Sequence, residues 1–154
     1  MHKNRISIRT ASLDDLLQVA GLFNAYRSFY EQSDDVSLAT AFIRQRLQQN
    51  DSTILLAFNE AQQVIGFCQM YPTFCSVAAA PILVLYDLFV TPTVRGTGAG
   101  RSLLLAAHDY AKQAGAVRMD LSTAKNNLLA QALYESLGWQ KDTQFFTYSL
   151  PIQT

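Results

Sequence analysis

The sequence predicts one α/β domain built on a mixed sheet with helices on its faces. Three observations predict it. The chain has 154 residues, enough for one core and short for two. Apolar residues make up 49%, which marks a folded globule. Strand-like and helix-like hydrophobic periods follow one another in the order β-α-α-β-β-β-α-β-α-β(-β), with no repeat or linker among them.

Each element has its own signal. "RISIRT" alternates and reads as a first strand. In "TASLDDLLQVAGLFNAYRSFY" Ser12 is placed to cap a helix, and Asp14 and Asp15 suit its positive N-terminal end. Leu13, Leu16, Leu17, Ala20 and Phe23 or Asn24 then recur at helical spacing. "EQSDDVS" is a polar loop, and "SLATAFIRQRLQQN" a second amphipathic helix. "STILLAFN", "VIGFCQMYPTF" and "ILVLYDLFV" are strands, joined by the turn "EAQQ" and the hairpin connection "CSVAAAP". The third of them is mostly apolar, as a strand covered on both faces should be. "GRSLLLAAHDYAKQAG" is a helix closed by Gly115, "AVRMDLST" a strand, and "NNLLAQALYESLG" a helix closed by Gly138. "WQKDTQFFTYSL" supplies one or two terminal strands.

Charge excludes some partners. Twelve basic residues balance twelve acidic ones, so no bulk positive field exists to hold nucleic acid or an anionic membrane. "MHKNRISIRTASLDDL" lacks the apolar run of a signal peptide. "AAAPILVLYDLFV" holds Pro81 and Asp87 and is too short to span a bilayer. Cys68 and Cys75 are an odd number of residues apart, so on one strand they point to opposite faces. They read as free, buried thiols, which implies a reducing compartment, most simply the cytoplasm. No zinc-ligand spacing surrounds them, and no metal is expected. His2 is terminal and carries no role, and His108 and Asp109 read as surface or interface residues of their helix.

"VRGTGAG" concentrates glycine between a buried strand and a helix. The first amides of a helix have no partner inside it and sit at its positive end, so phosphate is the natural occupant. A P-loop is excluded, because its first glycine would fall on Arg95. A dinucleotide fingerprint is excluded, because its third glycine would fall on Arg101. The pattern that fits is [QR]-x-x-G-x-[GA], read over Arg95, Gly96, Thr97, Gly98, Ala99 and Gly100. It resembles the acetyl-CoA loop of the GNAT N-acetyltransferases. The surrounding "LYDLFVTPTVRGTGAGRSLL" resembles that family's strand, V-x-P step, loop and helix, and "NNLLAQALYESLGW" resembles its later helix segment. The likeness runs through the whole chain in element order, as a single domain over residues 1–154.

The resemblance implies a fold, a co-substrate and roles. The fold is that of the acyl-CoA N-acyltransferases, with central strands splayed to admit CoA. Backbone amides from Arg95 through Arg101 would cradle the pyrophosphate of acetyl-CoA. The main chain at Phe89 and Val90 would pair with the pantetheine arm as an added strand. Asn127 corresponds to the family's asparagine at the cofactor, and Tyr134 to its tyrosine near the thioester sulfur. The reaction would be acetyl transfer from acetyl-CoA to a primary amine, by direct attack in a ternary complex.

Chemistry agrees with part of this. The amine must lose a proton before attack, and the CoA thiolate must gain one on leaving. A tyrosine, with a pKa of about 10, is protonated at neutral pH and can donate. Read from helix spacing alone, Tyr134 instead packs on the sheet. The strand before the loop is most like that of the diamine and thialysine acetyltransferases, "L-E-D-L-[YF]-V", and small histone-acetyltransferase-like members are also close in pattern. Here Tyr86 stands where those enzymes have the glutamate proposed as base, and Asp87 keeps the aspartate. Asp87 reads as a base, a water-holding group, an anchor for a cationic substrate, or a carboxylate accepting backbone hydrogen bonds near a bulge. Tyr30, Glu31, Asp34 and Asp35 follow the first helix, where the family forms its acceptor site; they read as acceptor-binding residues or as a solvated acidic loop.

The acceptor is thus expected to be a small amine or lysine-like group. A protein lysine or an aminoglycoside is an alternative within the enzyme class. A CoA-binding sensor without catalysis is an alternative outside it. The low charged fraction of 16%, an apolar hairpin region and the habit of the family it resembles point to a homodimer, with the C-terminal strands "QFFTYSL" as its expected contact.

Overall fold

The structure is a computed structural model and describes residues 5–153. His2 lies outside the described residues. The chain divides into two compact units with the boundary between Ser122 and Thr123.

The first unit holds a five-stranded sheet in the order β1-β2-β3-β4-β5. Its strands are β1 (Ser7–Thr10), β2 (Thr53–Phe58), β3 (Val64–Cys75), β4 (Ala80–Val90) and β5 (Met119–Asp120). The first three pairings are antiparallel and β4–β5 is parallel. Helices α1 (Leu16–Phe29) and α2 (Val36–Gln49) lie between β1 and β2 in sequence, and α3 (Ala99–Gln113) between β4 and β5.

Alternation along the strands divides the core in two. Ile54, Leu56, Phe58, Phe67 and Phe89 pack with Val19 and Phe23 of α1 and Ala39 and Ile43 of α2. The other face is closed by Leu103, Leu104, Ala107 and Ala111 of α3, all buried. Cys68 is buried and Cys75 only partly so, which corrects the expectation that both are buried; both are free.

Local chemistry sets the helix ends. A 3-10 turn over Leu13–Asp15 leads into α1. There the Asp15 carboxylate accepts from Ser12 N–H at 2.8 Å and from both Arg9 guanidinium nitrogens at 2.8 Å. Arg9 holds the Asp15 carboxyl down at about 2. Asp35 caps α2, accepting from Leu38 N–H at 3.0 Å, and Asn50 ends it in the left-handed region at φ 52°. Helix α3 closes with paired bonds from Gly115 N–H to Lys112 O and from Ala116 N–H to Ala111 O, as expected for Gly115.

The second unit, Thr123–Thr154, contains α4 (Leu128–Ser136). It closes in the same way, with Gly138 N–H on Glu135 O and Trp139 N–H on Tyr134 O. The expected terminal strands are absent: residues 139–153 form no ladder. A strand exists only by pairing, and β5, expected over "AVRMDLST", offers a ladder at Met119 and Asp120 alone.

Candidate functional site

Strand β4 builds the first half of the site. Its ladder with β3 shifts at one point: Asp87 faces Gln69, Leu85 faces Met70, and Tyr86 is the extra residue between them. The bulge reverses the strand's phase. Tyr86 is turned out, 67% exposed, with its ring edge-on to Tyr71 at 5.9 Å. Asp87 is turned in, 2% exposed, on the face covered by α1.

Asp87 is held by side chains, not by backbone amides as one reading had it. Its Oδ2 accepts from Gln69 Nε2 at 2.6 Å. Gln69 is fully buried, and its Oε1 accepts from Ser52 Oγ at 2.8 Å. Burial pushes the Asp87 carboxyl up from the usual carboxylate range, and hydrogen bonds from Gln69 and Tyr26 pull it partly back.

Tyr26 of α1 lies over this point. Its hydroxyl donates to the Tyr86 carbonyl oxygen at 3.2 Å. Its ring packs against Tyr30, Phe67 and Phe89, with centroids 5.0, 6.0 and 6.5 Å away. Burial first, then the charge of Asp87, raises the Tyr26 phenol. Tyr30 is exposed at the end of α1, and Glu31 follows in the left-handed region at φ 63°. Asp34 and Asp35 are not simply solvated: Asn24 Nδ2 donates to Asp34, and Asp35 N–H donates to Asn24 Oδ1 at 3.0 Å. Buried Asn24 thereby ties the loop carrying Tyr30 and Glu31 to α1.

Beyond the bulge β4 has an open edge. Strand β5 pairs with it only at Leu83 and Val84, so among the described residues Leu85 to Val90 have no strand on that side. Thr91 N–H bonds to Ile65 O of β3 at 2.8 Å. Since successive residues alternate sides, Phe89 also faces β3, and Leu88 and Val90 present their peptides to the open edge. Arg95 caps this edge: its Nε donates to Val90 O at 3.1 Å, and its guanidinium lies 5.6 Å from the ring centroids of Phe29 and Phe89.

The glycine loop follows. Gly96 and Gly98 take φ of 86° and 91°, a region L side chains rarely adopt. Thr97 Oγ1 donates to Val94 O at 2.7 Å and steadies the turn. The first helical bond of α3 runs from Ser102 N–H to Gly98 O. The amides of Ala99, Gly100 and Arg101 therefore precede the ladder, and no side chain caps them. An uncapped positive helix end beside an open strand edge fits the pyrophosphate and amide-rich arm of CoA.

In the second unit, Asn127 caps α4, its Oδ1 accepting from Ala130 N–H at 3.3 Å. The Tyr134 ring lies 6.1 Å from that of Trp139. Exposed His108 and Asp109 lie on the surface of α3. Among the described residues no three His, Cys, Asp or Glu side chains group as metal ligands. None of the described helices is long and apolar enough to cross a membrane.

Sequence reasoning missed Gln69 and Gly66, and shows Tyr26 only as one of the aromatics of "FNAYRSFY", which read as lining the acceptor pocket or as packing. Gln69 shows as the one polar residue inside "VIGFCQM". Gly66 pairs with Val90, and a Cβ there would stand 2.8 Å from Phe89 O.

Known proteins share this frame. The family model described as acetyltransferase (GNAT) family matches residues 19–139. An uncharacterised N-acetyltransferase of Bacillus subtilis (strain 168), YhfO, is 46% identical over 147 residues, covering 96% of this chain and 98% of that protein. A crystal structure of a probable acetyltransferase superimposes with a TM-score of 0.90 at 36% identity, over 96% of this chain and 99% of that one. Aminoglycoside N-acetyltransferase AAC(6')-Iy, solved in complex with CoA, shares the fold at a TM-score of 0.80 and 19% identity, over 97% of each chain.

Proposed function

The chain belongs to the GNAT acetyltransferase family and is an acyltransferase; on that premise we propose that it transfers the acetyl group of acetyl-CoA to a primary amine of a small molecule or lysine-like acceptor. The observation that carries the proposal is Asp87, a buried carboxylate set at a bulge beside the open edge of β4.

The amides of Ala99, Gly100 and Arg101, with the turn of Gly96, Thr97 and Gly98, hold the pyrophosphate. Arg95 swings from Val90 O to add positive charge there. The freed peptide of Val90, with Leu88, then pairs with the pantetheine arm, and Phe89 supplies the apolar floor. Asn127 contacts the same co-substrate.

Acetyl-CoA supplies an activated acyl carbon and a thiolate leaving group. Tyr30, Glu31 and Tyr86 receive the acceptor. The amine gives up its proton toward Asp87 through water, because a carboxylate so deeply buried offers little direct access. Burial makes Asp87 a stronger base than an exposed aspartate. The amine nitrogen bonds to the acetyl carbon, the carbon–sulfur bond breaks, and Tyr134 protonates the leaving thiolate. No metal takes part in this scheme. The two free cysteines suit a cytoplasmic setting. The exposed side chains of Phe145, Phe146, Tyr148 and Leu150 support a homodimer.

Thiol release from acetyl-CoA tests the reaction across polyamines, lysine, thialysine, aminoglycosides and a histone-tail peptide. One amine class should turn over. Tyr134→Phe and Asp87→Asn should each lower kcat by about a hundredfold or more. Full activity in Asp87→Asn would remove it as the base. Acetyl-CoA binding with no amine turned over would favour a sensor.

A further inference from the structure

We propose that Gln69 is a positioning residue for Asp87, and that Ser52 sets the orientation of its amide. The proposal rests on the reading of Asp87 as the proton acceptor. Gln69 lies directly across the ladder from Asp87, at the bulge that turns Asp87 inward. It is fully buried, in a strand whose neighbouring buried residues, Phe67, Cys68 and Met70, are apolar. A primary amide in such a place costs stability unless both its ends are bonded. Both are, at 2.6 Å to Asp87 and 2.8 Å to Ser52.

The direction of the chain follows from what each group can do. An ionised carboxylate only accepts, so Gln69 must present its N–H to Asp87 and its oxygen to Ser52. Ser52 then donates. When Asp87 takes a proton on Oδ2, it becomes a donor there. A half-turn of the Gln69 amide presents Oε1 to Asp87, and the Ser52 hydroxyl rotates to accept from Nε2. Three groups thus satisfy both protonation states of Asp87 by rotation alone. Ser52 is free to rotate because it is only partly buried. It lines a surface cavity of about 170 Å³ with Asn50, Thr53 and Tyr110.

The other titratable groups near Asp87 are Tyr26 on α1, Cys68 and Tyr71 on β3, and Tyr86 on β4. Burial pushes the Cys68 thiol up to about 12 and raises the phenols of Tyr26 and Tyr71. Cys68, Tyr26 and Tyr71 therefore stay neutral across the working range. Gln69 is then the first of two donors, with Tyr26 the second, that favour the ionised carboxylate against burial.

The experiment follows the Asp87 carboxyl carbon by NMR with labelled aspartate, assigned with Asp87→Asn, beside the pH profile of kcat/KM. In Gln69→Leu the Asp87 titration and the acid limb should both rise by about one pH unit. Turnover on the acid limb then falls about tenfold and recovers at higher pH, with KM for acetyl-CoA unchanged. Gln69→Glu should raise both further, since two facing carboxyls share a proton. Ser52→Ala, at a more exposed position, should shift them the same way by less. An unmoved Asp87 titration in folded Gln69→Leu overturns the proposal, and so does an unmoved one in Ser52→Ala if Gln69→Leu does not fold. Full turnover in Asp87→Asn instead overturns the base, while the carboxyl titration still decides the part of Gln69.

Discussion

At the scale of single residues the site sets stability against reactivity. An aspartate whose carboxyl is raised by burial binds its proton more tightly folded than unfolded. Its contribution therefore favours the folded state as pH falls toward the ordinary aspartate range and opposes it once the folded group ionises. Asp87→Asn keeps an acceptor for Gln69 and removes the buried charge. Its Tm at pH 7.5 should equal or exceed that of the parent, while turnover is lost. A Tm several degrees lower would show that the carboxylate stabilises the fold and that its burial is not held against a cost. Asp15 behaves in the opposite way: Arg9 holds its carboxyl at about 2, so its stabilisation is full above the ordinary aspartate value and is lost as pH falls through about 2.

At the scale of elements, the junction of β3, β4 and α3 determines the open edge. Gly66 lets β3 approach β4 where Phe89 and Val90 lie. Gly66→Ala would place a methyl group 2.8 Å from the Phe89 carbonyl, and backbone must move to relieve it. The variant should lose about 1–3 kcal/mol of stability and raise KM for acetyl-CoA, read by denaturation and by initial rates. An unchanged KM would separate this contact from the co-substrate edge. Much of this junction was legible from sequence. "VRGTGAG" states its glycine turn, and "ILVLYDLFV" its interior strand, because those are local patterns. The bulge partner Gln69 was not, since pairing across a ladder leaves no mark on either strand alone. Nor was the length of β5, because a parallel edge that diverges after two pairs is set by the partner strand. The Asp34–Asp35 loop read as acceptor-binding or as solvated, and its tie to α1 did not show, because its anchor, Asn24, lies ten residues upstream within a helix.

At the scale of the whole molecule, "QFFTYSL" poses the remaining question. Its apolar residues imply burial, yet Phe145, Phe146 and Tyr148 are 78–91% exposed in the single chain. Three neighbouring aromatics in water are costly, and a second copy can cover them symmetrically, since a twofold interface uses the same patch on both chains. Light scattering at micromolar concentration should therefore give about twice the 17.1 kDa chain mass. Phe146→Asp with Tyr148→Asp should return a monomer, because association would bury each new carboxylate unpaired on an apolar face. Each chain carries its own proposed catalytic groups, Asp87 and Tyr134, so that monomer keeps a measurable rate, while the thermal stability of the parent falls as it is diluted toward its dissociation constant. A parent that is monomeric at every concentration would remove the dimer and leave the segment to pack within its own chain.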